Sequence, residues 1–271
     1  MNKLRNLALG VAVGAAVLAS SPPIEAQESP VLDRVVESGT LRVGMSATQP
    51  PFNAKSRSGE MIGLEVDLAN LLAGAMGVEL QIVNRPFGEL LGALDAGAVD
   101  MVMSGMAITP DRARKSAFVG PYMLSGKSIL TKSTTLAAAK ETNDLDKPGV
   151  KLAALSNSTS QQFVQKYLPN AQFVPVAEYD EAVDMLLAGT IDALVADMPI
   201  CVLSLLRFPN EGLATLRQPF TVEPIGVAVP GGDMAFRNLV DNYLEAFEKT
   251  GILDQLRKTW LEDGAWVAAL P

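Results

Sequence analysis

The chain is 271 residues long, 48% hydrophobic and 19% charged, with a formal net charge of −8. That balance belongs to a packed globule rather than a disordered chain, and without a basic face it gives nucleic acid no electrostatic foothold. The absence of histidine and the single cysteine, Cys201, exclude histidine-dependent triads, the commonest metal ligand and any intrachain disulfide.

Lys3 and Arg5 precede an apolar run from Leu7 to Ala19 and a polar stretch ending at Ala26. This is the layout of a secretory signal peptide over 1–26, with cleavage after Ala26. The run is too short for a membrane span, which needs roughly 20 apolar residues. Ser29-Pro30 then offers an N-cap and a first-turn proline, and Gly39 closes that helix. Strands are expected at Leu41–Met45, Leu80–Val83, Val99–Met103, Lys151–Leu155 and Ile191–Ala196. Helices are expected at Gly63–Met76, Phe87–Leu94 and Gln161–Tyr167. The alternation argues an α/β architecture. Cys201, in Ile200-Cys201-Val202-Leu203, reads as a buried structural thiol.

An internal echo suggests two similar lobes. Ala96-Gly97-Ala98-Val99-Asp100 and Ala188-Gly189-Thr190-Ile191-Asp192 each follow a helix and lead into an apolar strand. In open α/β sheets ligands bind beyond the carboxyl ends of strands, which directs attention to Ser104-Gly105-Met106-Ala107 and to Ala196-Asp197.

Thr109-Pro110-Asp111-Arg112 starts a helix, with Thr109 as cap. On pattern alone Arg112 is either a solvated arginine or one that turns back to grip a carboxylate in a bidentate fork. Asp197 either caps the turn at Met198-Pro199 or meets a ligand ammonium. Ser158, Thr159 and their neighbours are ordinary helix caps that also surround N–H donors suited to a carboxylate.

Together these segments resemble the amino-acid-type periplasmic solute-binding proteins of ABC importers. The resemblance runs from Gly39-Thr40-Leu41-Arg42-Val43-Gly44 and Pro50-Pro51-Phe52 through Gly63-Leu64-Glu65-Val66-Asp67-Leu68-Ala69. It continues in Phe87-Gly88-Glu89-Leu90-Leu91, Ile108-Thr109-Pro110-Asp111-Arg112 and Phe118-Val119-Gly120-Pro121-Tyr122, and ends at Gly251-Ile252-Leu253 and Trp260. It implies a type II periplasmic binding protein fold with two α/β lobes and two hinge crossings. Lobe one would span 30–123 plus 226–271, and lobe two 124–225.

The same resemblance implies a periplasmic, monomeric protein that closes on an amino acid or related small polar carboxylate and delivers it to an ABC-type permease, with no catalytic residue, cofactor or metal. Arg112 would bind the ligand carboxylate, Asp197 its ammonium, Thr159 and Ser158 its polar groups, Gly105 its main-chain atoms, and Phe87 would wall the site. Ser46 and Gln49 stand where relatives carry an aspartate and a stacking aromatic, so a basic ligand is disfavoured. The sequence also resembles cyclohexadienyl (arogenate/prephenate) dehydratases on the same fold, in Leu32–Gly39 and Gln218-Pro219-Phe220. Where those enzymes carry a glutamate general acid, this chain has Gln161, whose amide does not titrate and cannot act as a general acid.

Overall fold

The computed structural model describes residues 29–271, so the expected signal peptide lies outside the described residues. The first helix, Pro30–Ser38, ends at Gly39 in the left-handed region, at φ 63°. Its amino end is not capped by Ser29 as the sequence suggests. Asp233 does that work from the far end of the chain, accepting from Val31 N at 2.8 Å and Leu32 N at 3.3 Å while the Ser29 hydroxyl donates to it at 2.6 Å. A carboxylate competes well for such N–H groups because the bonds are charge-assisted and the helix dipole favours an anion there.

Two five-stranded sheets follow one plan. The first is ordered Glu79–Asn84, Thr40–Met45, Met101–Val102, Glu223–Val229, Ala117–Ser125. The second is ordered Gln172–Val176, Lys151–Leu155, Ala193–Asp197, Lys127–Thr131, Ala214–Thr215. In each, the first three strands are parallel and the fourth is antiparallel to its neighbours. The central strands, Met101–Val102 and Ala193–Asp197, are buried throughout, which is why they read as short apolar runs. A small third sheet, Thr48–Gln49, Asn53–Lys55 and Met61–Ile62, leans on the first.

The sequence echo is a repeated piece of geometry. Gly97 and Gly189 both leave their helices with positive φ, at 68° and 70°. Asp100 then donates its N–H to Arg42 O at 2.9 Å and accepts from Arg42 N at 2.7 Å. Asp192 does the same with Lys151, at 2.9 and 2.7 Å. In both lobes an aspartate thus ties the incoming central strand to the parallel strand beside it.

Some elements differ from expectation. The Phe87–Leu94 segment splits into a 3-10 turn, Phe87–Glu89, and a helix, Leu90–Asp95. The strand expected over Val99–Met103 shortens to Met101–Val102, and the helix expected from Gln161 starts at Thr159. The ladder of the first sheet still pairs Ser125 with Glu223, slightly past the expected lobe limits at 123 and 226. The chain therefore passes between sheets at Gly126 and again between Thr215 and Glu223. A Cβ on Gly126 would lie 1.9 Å from Thr221 O, so only glycine lets the two crossings touch. Phe220 N to Lys127 O, 2.7 Å, and Lys127 N to Thr221 Oγ1, 2.9 Å, bind them together.

The lobes are closed on each other. One apolar cluster includes Phe87 and Met103 of the first with Tyr179 and Leu194 of the second. Among the described residues no helix is long and apolar enough to cross a membrane.

Candidate functional site

The site grows from the carboxyl ends of two equivalent central strands. In the first lobe, Met101–Val102 runs into Ser104-Gly105-Met106-Ala107 and then a one-turn helix, Pro110–Ala113. Thr109 caps that turn by accepting from Arg112 N at 3.3 Å. The Arg112 side chain turns back rather than out. Its Nη1 donates to Ala107 O at 2.9 Å and its Cζ lies 5.6 Å from the centre of the Phe87 ring. Burial lowers its pKa, against the attraction of Glu223 and Asp197. The guanidinium makes no ion pair among the described residues, and one carbonyl engages only part of its five-donor fork.

In the second lobe Asp197 ends the strand Ala193–Asp197 and precedes the helix Met198–Arg207 without capping it. Its Oδ1 accepts instead from Ser125 Oγ at 3.1 Å and from Lys127 Nζ at 3.0 Å. Lys127 is fully buried, and its ammonium also lies 3.0 Å from Glu223 Oε2. The Thr159 hydroxyl donates to the same Glu223 oxygen at 2.9 Å, and Thr221 donates to the other at 3.2 Å. Tyr179, buried beside this cluster, has a phenol pushed well above its ordinary pKa by burial and by the Asp197 charge.

Arg112, Phe87, Asp197 and Thr159 therefore come together, but not as bare groups awaiting a guest. The Thr159 hydroxyl is already given to Glu223, and Asp197 already has a cation. Phe87 also lines a neighbouring cavity of about 590 Å³ between the lobes, together with Ser46, Lys55, Arg85, Glu178 and Arg207.

The other expected contacts lie elsewhere. The N–H of Gly105 donates to Glu65 Oε1 at 2.7 Å and is not free for a ligand. Gln49, 2% exposed, turns inward and donates to Ser46 Oγ at 3.0 Å, leaving Ser46 alone of the pair on the cavity wall. Ser158 spends its hydroxyl as a helix cap, accepting from Gln161 N at 3.2 Å and donating to Leu155 O at 2.6 Å. Gln161 steadies the preceding loop, its Oε1 accepting from Asn157 N at 2.8 Å.

Gly105 and Gln49 belong to a polar network sealed beneath the first-lobe wall. Its centre is Glu65, fully buried, which accepts from Gly105 N, Asn53 Nδ2 and the Tyr122 hydroxyl. Burial pushes Glu65 up to about 7, partly opposed by those hydrogen bonds.

Sequence reasoning missed Lys127 and Glu223. The available signal was weak: a charged residue at the start of each of two apolar strands, Lys127-Ser128-Ile129-Leu130 and Glu223-Pro224-Ile225-Gly226-Val227. Burying such charges is costly unless they meet, and here they meet each other.

Comparisons with known proteins agree with this architecture. The profile of bacterial extracellular solute-binding proteins, family 3, matches residues 41–263. The chain is 30% identical over 259 residues to the L-cystine-binding protein TcyJ of Escherichia coli, covering 94% of this chain and 95% of that one. It is 29% identical over 251 residues to the cyclohexadienyl dehydratase of Pseudomonas aeruginosa, covering 93% of each. Among solved structures, the ancestral amino acid-binding protein AncCDT-1, a precursor of cyclohexadienyl dehydratase, matches with a TM-score of 0.79 at 35% identity, covering 87% of this chain and 100% of that one. An ancestral arginine-binding protein bound to arginine matches with a TM-score of 0.77 at 32% identity, covering 82% and 98%.

Proposed function

Since the chain belongs to family 3 of the bacterial extracellular solute-binding proteins, we propose that it captures an amino acid or related small polar carboxylate between its lobes for ABC-type import. The observation that carries this reading is Arg112: a guanidinium over the ring of Phe87, which lines the interlobe cavity, holding one carbonyl and no carboxylate. An arginine fork fits a carboxylate bidentately, and the surrounding protein leaves most of this one unused. Ligand would dock on Arg112 and Phe87 of the open first lobe, and closure would then bring up the Asp197 and Thr159 wall. A ligand stabilises closure only through interactions it makes with the closed form and not with the open one, and the closed shape is what a permease would read. Relatives named for cystine and arginine binding support the ligand class. Export through the 1–26 signal, a periplasmic location and action as a monomer belong to the same proposal.

Binding without catalysis is the reading we favour despite the dehydratase relative. Gln161 stands at the position of that enzyme type's general acid, and its amide is tied to Asn157. The Asp197 and Glu223 carboxylates are engaged by Lys127, Thr159 and Thr221.

A thermal-shift screen against amino acids and small carboxylates identifies the ligand, because a bound ligand raises apparent stability by mass action. Calorimetry on Arg112→Ala should then show a loss of at least about tenfold, since hydrogen bonds to charged groups contribute roughly 1.5–3 kcal/mol. Unchanged affinity would remove Arg112 from the site. Incubation with prephenate or arogenate should give no product.

A further inference from the structure

We infer that Lys127 stands where a ligand ammonium would stand, so that the site selects a carboxylate carrying no α-ammonium, such as a 2-oxo or 2-hydroxy acid, over the matching amino acid. The inference rests on the clamp reading above and narrows its ligand class.

The cleft is asymmetric in what remains free. Both of its inner carboxylates are paired: Lys127 Nζ is 3.0 Å from Asp197 Oδ1 and 3.0 Å from Glu223 Oε2. Three hydroxyls, from Ser125, Thr159 and Thr221, occupy the same two carboxylates. Its inner cations are not treated alike. Lys127 is shared between two anions, whereas Arg112 has only the Ala107 carbonyl. An entering carboxylate thus finds an unpaired guanidinium.

An entering α-ammonium finds no unpaired carboxylate in the Asp197–Glu223 cluster; Glu178, unpaired among the described residues, is exposed and lies on the wall of the neighbouring cavity. The ammonium would have to share Asp197 with a lysine fixed 3.0 Å from the same carboxylate, so the repulsion of that lysine offsets much of what the two carboxylates would otherwise supply. Displacing Lys127 is no remedy. That ammonium is completely buried, and a buried cation stripped of its partners is heavily penalised. A carbonyl or hydroxyl oxygen at the same place has the opposite effect, because it accepts from the Lys127 ammonium, whose third proton neither Asp197 nor Glu223 uses.

The test is calorimetry on the full mature chain with matched probes: L-leucine and 4-methyl-2-oxopentanoate, L-phenylalanine and phenylpyruvate, L-glutamate and 2-oxoglutarate, L-arginine and 5-guanidino-2-oxopentanoate. Within the pair that binds best, the oxo acid should bind roughly tenfold or more tighter, the scale of one charged hydrogen bond. Lys127→Met should shift that ratio toward the amino acid, and Lys127→Arg should keep the original order. Preference for the amino acid in the unaltered protein, or a ratio unmoved by Lys127→Met, overturns the inference while leaving the clamp intact. If Lys127→Met fails to fold by circular dichroism, the double variant Lys127→Met/Glu223→Gln removes one stranded charge and takes its place. Binding of no probe, with Arg112→Ala indistinguishable throughout, overturns the clamp reading itself.

Discussion

Lys127 and Glu223 meet across the hinge, Nζ to Oε2 at 3.0 Å, although the lysine opens a strand of the second sheet and the glutamate a strand of the first. Asp197 holds the other side of the same ammonium. The pair thus fastens the lobes at the point where they must pivot, and its strength bears on both stability and shape.

Glu223→Gln should therefore loosen the closed form. Breaking a buried ion pair typically costs about 3–5 kcal/mol. Asp197 remains to Lys127 and the Glu223 side chain is 17% exposed, so the loss here should be nearer about 2 kcal/mol. Urea unfolding reads the energy, and solution scattering should show a larger radius of gyration. Glu211→Gln is the control. Its 3.6 Å pair with Lys132 has both side chains well exposed, and such pairs contribute under about 1 kcal/mol.

Glu65 predicts a pH dependence of definite sign. Its carboxyl moves from 4.5 to about 7 because burial disfavours the anion more than Tyr122, Gly105 and Asn53 favour it. Between those values the folded protein holds a proton that the unfolded chain has released. Its contribution is complete below about pH 4.5, falls as pH rises, and is gone above about 7. The total is on the order of 3 kcal/mol. Urea melts across this range should show a declining slope that Glu65→Gln flattens. Asp233 acts oppositely and in more acid solution. Although burial raises it, hydrogen bonds from Ser29, Phe236, Val31 and Leu32 hold it below 3.8, so its contribution is lost as pH falls.

Gly126→Ala should be among the most damaging small substitutions. The new methyl would sit 1.9 Å from Thr221 O, and backbone there cannot yield without parting the crossings. We expect a loss of at least about 2 kcal/mol, within the usual cost of overpacking. Gly92→Ala, inside the helix Leu90–Asp95 with nothing within 4 Å of the added carbon, should instead be neutral or gain about 0.5–1 kcal/mol. Urea midpoints of the two variants separate a steric requirement from a general preference for glycine.

Much of this architecture is legible in the chain because its signals are local. Central parallel strands are buried on both faces, so Leu41–Met45 and Ile191–Ala196 stand out as apolar runs. Thr109-Pro110 announces the turn that carries Arg112, and the position of Asp197 at a strand end follows from its run. Legibility fails where partners lie far apart in sequence. Nothing near Ser29 says that Asp233 will take the helix end, and nothing near Lys127 says that Asp197 and Glu223 will converge on it. The resemblance places Gly105 and Gln49 near the ligand. A buried Glu65 claims the first and the Ser46 and Ser104 hydroxyls the second, and neither claim has a periodicity to read.

Cys201 sits wholly inside the second lobe, and burial lifts its thiol to about 12. It is also the molecule's sole sulfhydryl. The native polypeptide should consequently be silent toward maleimide dyes. A cysteine installed at exposed Tyr167 would then be the single anchor for a fluorophore, making the protein a ready scaffold for an optical metabolite sensor.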